Sequence, residues 1–162
     1  MGFFNLFNTS VSIQIDESNV VTVHNRKEAE FYAAGMLKIA FDCANLINTT
    51  KNPKVFFERY NLLIEKFENL SKIERFGCFK GKLPSQNLKE ILGKKENTIN
   101  DFIDRYYNET LSKFNSLKTE KAKLSCIDAF CNGLNDYKHY LSEDSLNKYN
   151  ELCSSLNKKI NK

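Results

Sequence analysis

The sequence predicts a mainly α protein, a helical bundle of about five helices with a short N-terminal β-hairpin. Three observations lead there. Phe56, Tyr60, Leu63, Phe67 and Leu70 recur at alternating spacings of four and three, which aligns them on one helical face. Val11–Ile15 alternates apolar with polar residues and is followed, after a polar turn, by the β-branched run Val20–Val23. Only six glycines and two prolines interrupt 162 residues, a balance that favours helices over a turn-rich all-β fold. A chain of this length fits one domain over residues 1–162, with the N-terminus and hairpin in 1–24 and the bundle in 25–162.

In chain order, Phe3, Phe4, Leu6 and Phe7 form a small apolar plug, expected to dock on the body of the domain or to meet a partner. The hairpin follows, with Asp16–Asn19 as a four-residue loop. Two strands alone are marginal in water, so the face of Val11, Ile13 and Ile15 must lie on helices or pair with another chain. Asn25 and Glu28 have the spacing of a capping box. The helix they open runs to about Ile47, with Ala29, Ala33, Met36, Leu37, Ala40, Phe41 and Ala44 on its apolar side. Pro53 suits the first position of the next helix, with Asn52 as cap and Gly77 as stop.

Cys78–Pro84 is the longest irregular stretch and the best candidate for a functional loop, with Lys80 and Lys82 as its cations. Ser85 is expected to cap a helix that bends near Gly93 and resumes through Phe102, Tyr106, Phe114 and Leu117. A fourth runs from about Ala122 to Leu141, with Gly133 as a weak point. A fifth begins at Ser142 and carries a narrow seam through Leu146, Tyr149, Leu152, Leu156 and Ile160. That seam serves the domain or a second copy of the chain.

Phe56-Phe-Glu-Arg-Tyr60 is partly echoed by Phe102-Ile-Asp-Arg-Tyr106, and Lys66-Phe67 by Lys113-Phe114. The offset slips from 46 to 47 residues between the two matches, so the pattern reads as two amphipathic helices drawing on the same few residue types. If those helices pack together, Arg59 and Arg105 are placed to cross-pair with Asp104 and Glu58. The alternative is an ion pair within one helix, Asp101 with Arg105, at four-residue spacing.

No catalytic constellation emerges. There is no Walker loop, no nucleophile elbow and no dinucleotide-binding glycine pattern. His24 and His139 lack acidic or cysteine neighbours at ligand spacing, and Cys126 and Cys131 alone do not make a zinc site. Cys131 and His139 fall about two helical turns apart, too far for a nucleophile and its base. No enzyme, metal or other cofactor is therefore expected. Five cysteines without a C-x-x-C pair, and an N-terminus without a basic leader, point to reduced thiols and a cytoplasmic location. No run is long and apolar enough for a transmembrane segment.

The net charge of +4 is mild, and lysines alternate with acidic residues over most of the chain. Clusters at Lys80–Lys82, Lys94–Lys95, Lys118–Lys123 and Lys158–Lys162 leave nucleic-acid association as the alternative to a protein partner. Tyr107 and Tyr140, read as exposed, are the aromatics that would stack bases or anchor a partner.

The stretches N-P-K-V-F-F-E-R-Y (52–60), I-N-D-F-I-D-R-Y-Y (99–107) and L-K-T-E-K-A-K (117–123), with G-K-L-P-S-Q-N-L at 81–88, resemble an uncharacterised helical domain. That domain occurs in Gram-positive bacteria and their phages or other mobile elements, and the similarity covers about residues 52–141. The resemblance implies a helical fold and a bacterial or phage cytoplasm, and it brings no activity or site with it. The leading expectation is a non-enzymatic interaction module. Its candidate contacts are Phe3, Phe4, Phe7, Val11, Ile13, Ile15, Lys80 and Lys82, and its partner is another protein or a second copy of itself in a homodimer.

Overall fold

A computed structural model of the chain describes residues 10–16 and 18–160. Strands β1 (Val11–Asp16) and β2 (Asn19–Val23) are followed by six helices among these residues. They are α1 (Arg26–Thr49), α2 (Pro53–Ile73), α3 (Pro84–Gly93), α4 (Lys95–Ser116), α5 (Glu120–Asn132) and α6 (Glu143–Asn157). The mainly α class with an N-terminal hairpin is as the sequence predicts. The sixth helix appears because the bend at Gly93 is a complete break, separating α3 from α4.

Local chemistry sets most boundaries. The Asn25 side chain accepts the Glu28 amide at 3.0 Å, while the Glu28 carboxylate reaches back to the His24 amide at 2.7 Å, so two orphan donors at the start of α1 are satisfied. Asn52 accepts from the Val55 amide at the start of α2, Thr119 from Ala122 at the start of α5, and Ser142 from Ser145 at the start of α6. After α2 a 3-10 turn over Glu74–Phe76 ends at Gly77, whose φ of 67° is costly for a residue with a Cβ. The start of α3 differs from expectation. Pro84, lacking an N–H, opens the helix, and Ser85 donates its backbone amide to the Glu74 carboxylate at 3.0 Å instead of capping with its own side chain.

The predicted helix over 122–141 also divides. α5 stops at Asn132, and a 3-10 segment covers Asn135–Tyr140. At Gly133 a Cβ would collide with the Tyr106 hydroxyl, which donates to the Ala129 carbonyl at 3.2 Å. Glycine is needed there for close approach, because its own φ of −64° is ordinary.

The chain gathers into two compact units, one from the residues up to Asn45 with Tyr60–Leu92, the other from Leu46–Arg59 with the chain from Gly93 onward. In the first, the hairpin unit, Ile13, Val23, Ala29, Ala33, Met36, Leu70 and Ile73 form a buried aliphatic cluster, with Val11, Ile15 and Val21 packed against it. The apolar face of the hairpin thus lies on α1 and α2. In the second, the aromatic unit, Phe56 stacks on Phe102 with centroids 4.1 Å apart, and Phe57 meets Phe102 edge-on and stacks on Tyr137. Phe56 and Phe102, matched in the partial repeat, are therefore direct partners.

The anticipated charge pairs are different. Glu58 faces Lys54, Asp104 pairs with Lys148 at 2.7 Å, and Arg105 donates to the Ile47 carbonyl at 2.7 Å. Neither the cross-pairing of the two arginines nor the Asp101–Arg105 pair is made. The last turn of α1 carries no basic residue, so its free carbonyls draw the guanidinium from α4.

Candidate interaction surface

The hairpin unit places an apolar groove along α1. The buried face of that helix is Ala29, Ala33, Met36, Ala40 and Cys43. Phe31, Gly35 and Ile39 recur every four residues on a different face and form an outward stripe. Phe31 is 75 % exposed and Ile39 38 %, and Gly35 has nothing within 4 Å of where a Cβ would stand. With Ile15 from β1 and Tyr32, Ala34 and Met36 from α1, they line a groove of about 450 Å³. The Phe31 ring is braced edge-on by Tyr32 at 5.3 Å. Among the described residues, no charged side chain lines the groove.

Ile15 reaches this position through a β-bulge. Pairing runs from Val11 opposite Val23 to Gln14 opposite Val20, then slips so that Asp16 faces Asn19 and Ile15 has no cross-strand partner. Its carbonyl accepts instead from the ammonium of Lys66, 2.8 Å away, which also pairs with Glu65 at 2.7 Å. Lys66 is only 2 % exposed, held in the interior of the unit by those two partners. One residue back, the Gln14 amide donates to the Asn69 side chain at 3.0 Å. Polar groups of α2 thus cover the outer edge of β1, where another strand would otherwise add.

The residues expected to make contacts are placed unevenly. Phe3, Phe4 and Phe7 lie outside the described residues. Ile13 is 1 % exposed and serves the core, Val11 is half-buried against the same cluster, and Ile15, also half-buried, borders the groove. Lys80 is exposed in the loop before α3, and Lys82 pairs with Glu90. Leu37 and Phe41, assigned by sequence to the packed side of α1, face water at 41 % and 68 % exposure. The helix is apolar over more than one face, and periodicity alone does not say which face meets the core. Spacing by four on the side away from the alanines was the available signal for Phe31, Gly35 and Ile39.

In the aromatic unit a cleft of about 500 Å³ lies along α4 and α5. Several of its polar groups are already engaged. Lys51 pairs with Glu109 at 2.5 Å, and Thr110 donates to the Tyr106 carbonyl while the Cys126 thiol donates to that of Thr110. Tyr107 and Tyr140 are half-buried rather than exposed, the first against Phe130 and Ser155, the second stacked on Phe57. No cluster of three metal-ligating side chains occurs among the described residues. Nor is any helix among them long and apolar enough to cross a membrane.

Comparison with family models, with curated proteins and with solved structures finds no match to this chain. Local chemistry therefore carries the functional reading.

Proposed function

We propose that this protein is a non-enzymatic interaction module of a bacterium, phage or mobile element, and that the α1 groove receives an amphipathic helix of a partner protein. The observation that supports this reading is the outward stripe of Phe31, Gly35 and Ile39 beside Ile15, an exposed apolar surface on α1. Phe31 to Ile39 spans about 12 Å of helix, two turns, which matches apolar anchors at positions i, i+4 and i+7 of an incoming helix. The bare backbone at Gly35 admits close approach of that helix. A lining that is apolar among the described residues suits such a face better than it suits a polar substrate.

Strand addition at β1 is disfavoured by Lys66 and Asn69, which already hold the Ile15 carbonyl and the Gln14 amide. Of the lysine clusters that point to nucleic-acid association, the one at Lys80–Lys82 already has Lys82 facing the Glu90 carboxylate.

The test is selection of a displayed library of helical peptides against the full chain, repeated with the double variant Phe31→Glu, Ile39→Glu. Enrichment of peptides with apolar residues at i and i+4, lost in the double variant, is the expected result. Peptides that bind both proteins equally, or no enrichment at all, reject the groove.

A further inference from the structure

We propose that the partner helix carries a lysine or arginine on one flank of its apolar anchors, that Asp16 and Glu65 receive this cation, and that the contact fixes the direction in which the helix lies. This inference rests on the α1 groove being a docking site. The groove does not stop at Ile15 and Ile39. The same two side chains also line a second hollow of about 290 Å³, with Asp16 from the hairpin and Leu62, Glu65 and Lys66 from α2. All six residues belong to the hairpin unit. Along one continuous surface, an uncharged lining among the described residues gives way to two carboxylates and one ammonium.

The bulge is what brings Asp16 there. Adjacent side chains of a regular strand point to opposite faces. The slip in register between Gln14 and Asp16 breaks that alternation, and Ile15 and Asp16 line the same hollow. The charge presented to a partner is negative. Lys66 is buried, with its ammonium on the Ile15 carbonyl at 2.8 Å and on Glu65 Oε1 at 2.7 Å. Glu65 keeps a side chain 41 % exposed, with Oε2 left for a further donor. Asp16 is exposed and accepts the Ser18 amide on Oδ1 at 3.0 Å, which leaves Oδ2. On α1, Lys38 and Asp42 stand on either side of Ile39 with opposite charges and line neither cavity.

Lysine and arginine suit a step from apolar to acidic surface, because the stem covers apolar area and only its end is charged. A uniform apolar groove accepts a helix in either direction. A cation held at one end makes the two directions unequal, and its exposed position gives specificity more than affinity.

The experiment selects a displayed library of helical peptides, with apolar anchors fixed at i, i+4 and i+7 and both flanking turns randomised, against the full chain at low salt. The expected result is enrichment of Lys or Arg on one flank, the same flank in every family of binders. A selected peptide with Gln at that position should bind roughly two- to fivefold more weakly, and the difference should vanish at high salt. Selection against Asp16→Lys should move the preference on that flank to Glu or Asp. Binders that depend on Phe31 and Ile39 but show no basic flank overturn the proposal and leave the groove standing. Basic residues on both flanks, or a preference unchanged by Asp16→Lys, overturn it as well, since either marks general attraction. No anchored binder at all rejects the groove and this inference together. The flank bias and its salt dependence in the unmodified chain decide the matter even if Asp16→Lys fails to fold.

Discussion

The two units solve the same problem, burial of apolar side chains, with different materials. The aromatic unit uses large rings whose polar ends find partners inside it: Tyr106 donates to the Ala129 carbonyl and Tyr149 to that of Phe130. The hairpin unit centres on aliphatics, Ile13, Val23, Ala29 and Ala33, packs Phe67, Phe76 and Phe79 around them, and leaves Phe31 and Phe41 of α1 in water. An alanine-faced α1 lets the hairpin and α2 approach closely, so bulky side chains on that helix have their place on other faces. Where the core is built from rings, the surface keeps little apolar area. Where it is built from alanine and valine, the helix has rings to spare for a partner.

The largest test of this contrast is Phe102→Ala. Phe102 is fully buried and stacked on Phe56, so its truncation should cost about 3–5 kcal/mol in chemical denaturation. Amide exchange should accelerate in the aromatic unit first. Equal acceleration in both units would erase the distinction between the two cores.

A second test uses Tyr60 of the hairpin unit, a buried phenol donating to the Ile91 carbonyl at 3.3 Å. Burial raises its pKa from 10.0 to about 12. The folded chain therefore holds the proton where the unfolded chain has released it. The associated stability is fully present below pH 10 and is lost as pH rises from 10 through 12. Tyr60→Phe has no proton to lose. Between pH 9 and 12 the unmodified protein should fall relative to that variant by roughly 2 kcal/mol. A gap that does not change with pH would put the hydroxyl in contact with water.

The third test concerns the bulge. Lys66→Ala removes the ammonium that satisfies the Ile15 carbonyl, and the loss should be roughly 1–3 kcal/mol. Lys66→Met keeps the stem and removes only the charge, so a similar loss in both variants assigns the effect to the hydrogen bond. If Met restores full stability, the stem is what matters.

These residues mark how far the sequence could be read. Caps and breakers act within a few residues, and Asn25, Asn52, Ser142, Gly77 and Gly93 are legible for that reason. The hairpin is legible because alternation has a period of two and turn residues bound it. Contacts made across the chain are not legible. Glu74 supplies the N-terminal partner of α3 from eleven residues away, and Arg105 reaches the Ile47 carbonyl across 58. Lys66 looks like any surface lysine until the fold surrounds it. Of the candidate surface, only Ile15 stands among the expected contacts, because the apolar side of α1 drawn from the sequence runs through Met36, Leu37 and Phe41 and leaves Phe31 and Ile39 unassigned.

The smallest expected effect separates the surface from the core most sharply. Phe31→Glu replaces a ring that is 75 % exposed on a helix whose buried face is elsewhere. Glutamate is a good helix former, so the change in unfolding free energy should stay within about 0.5 kcal/mol. Ala33→Glu, two residues along and 5 % exposed, places a carboxylate in the aliphatic cluster and should be severely destabilising. Measured side by side by urea denaturation, a neutral Phe31→Glu and a damaging Ala33→Glu would show that one helix divides its apolar residues between core and groove. If Phe31→Glu proves as damaging as the alanine change, the ring belongs to the core and the groove is not a free surface.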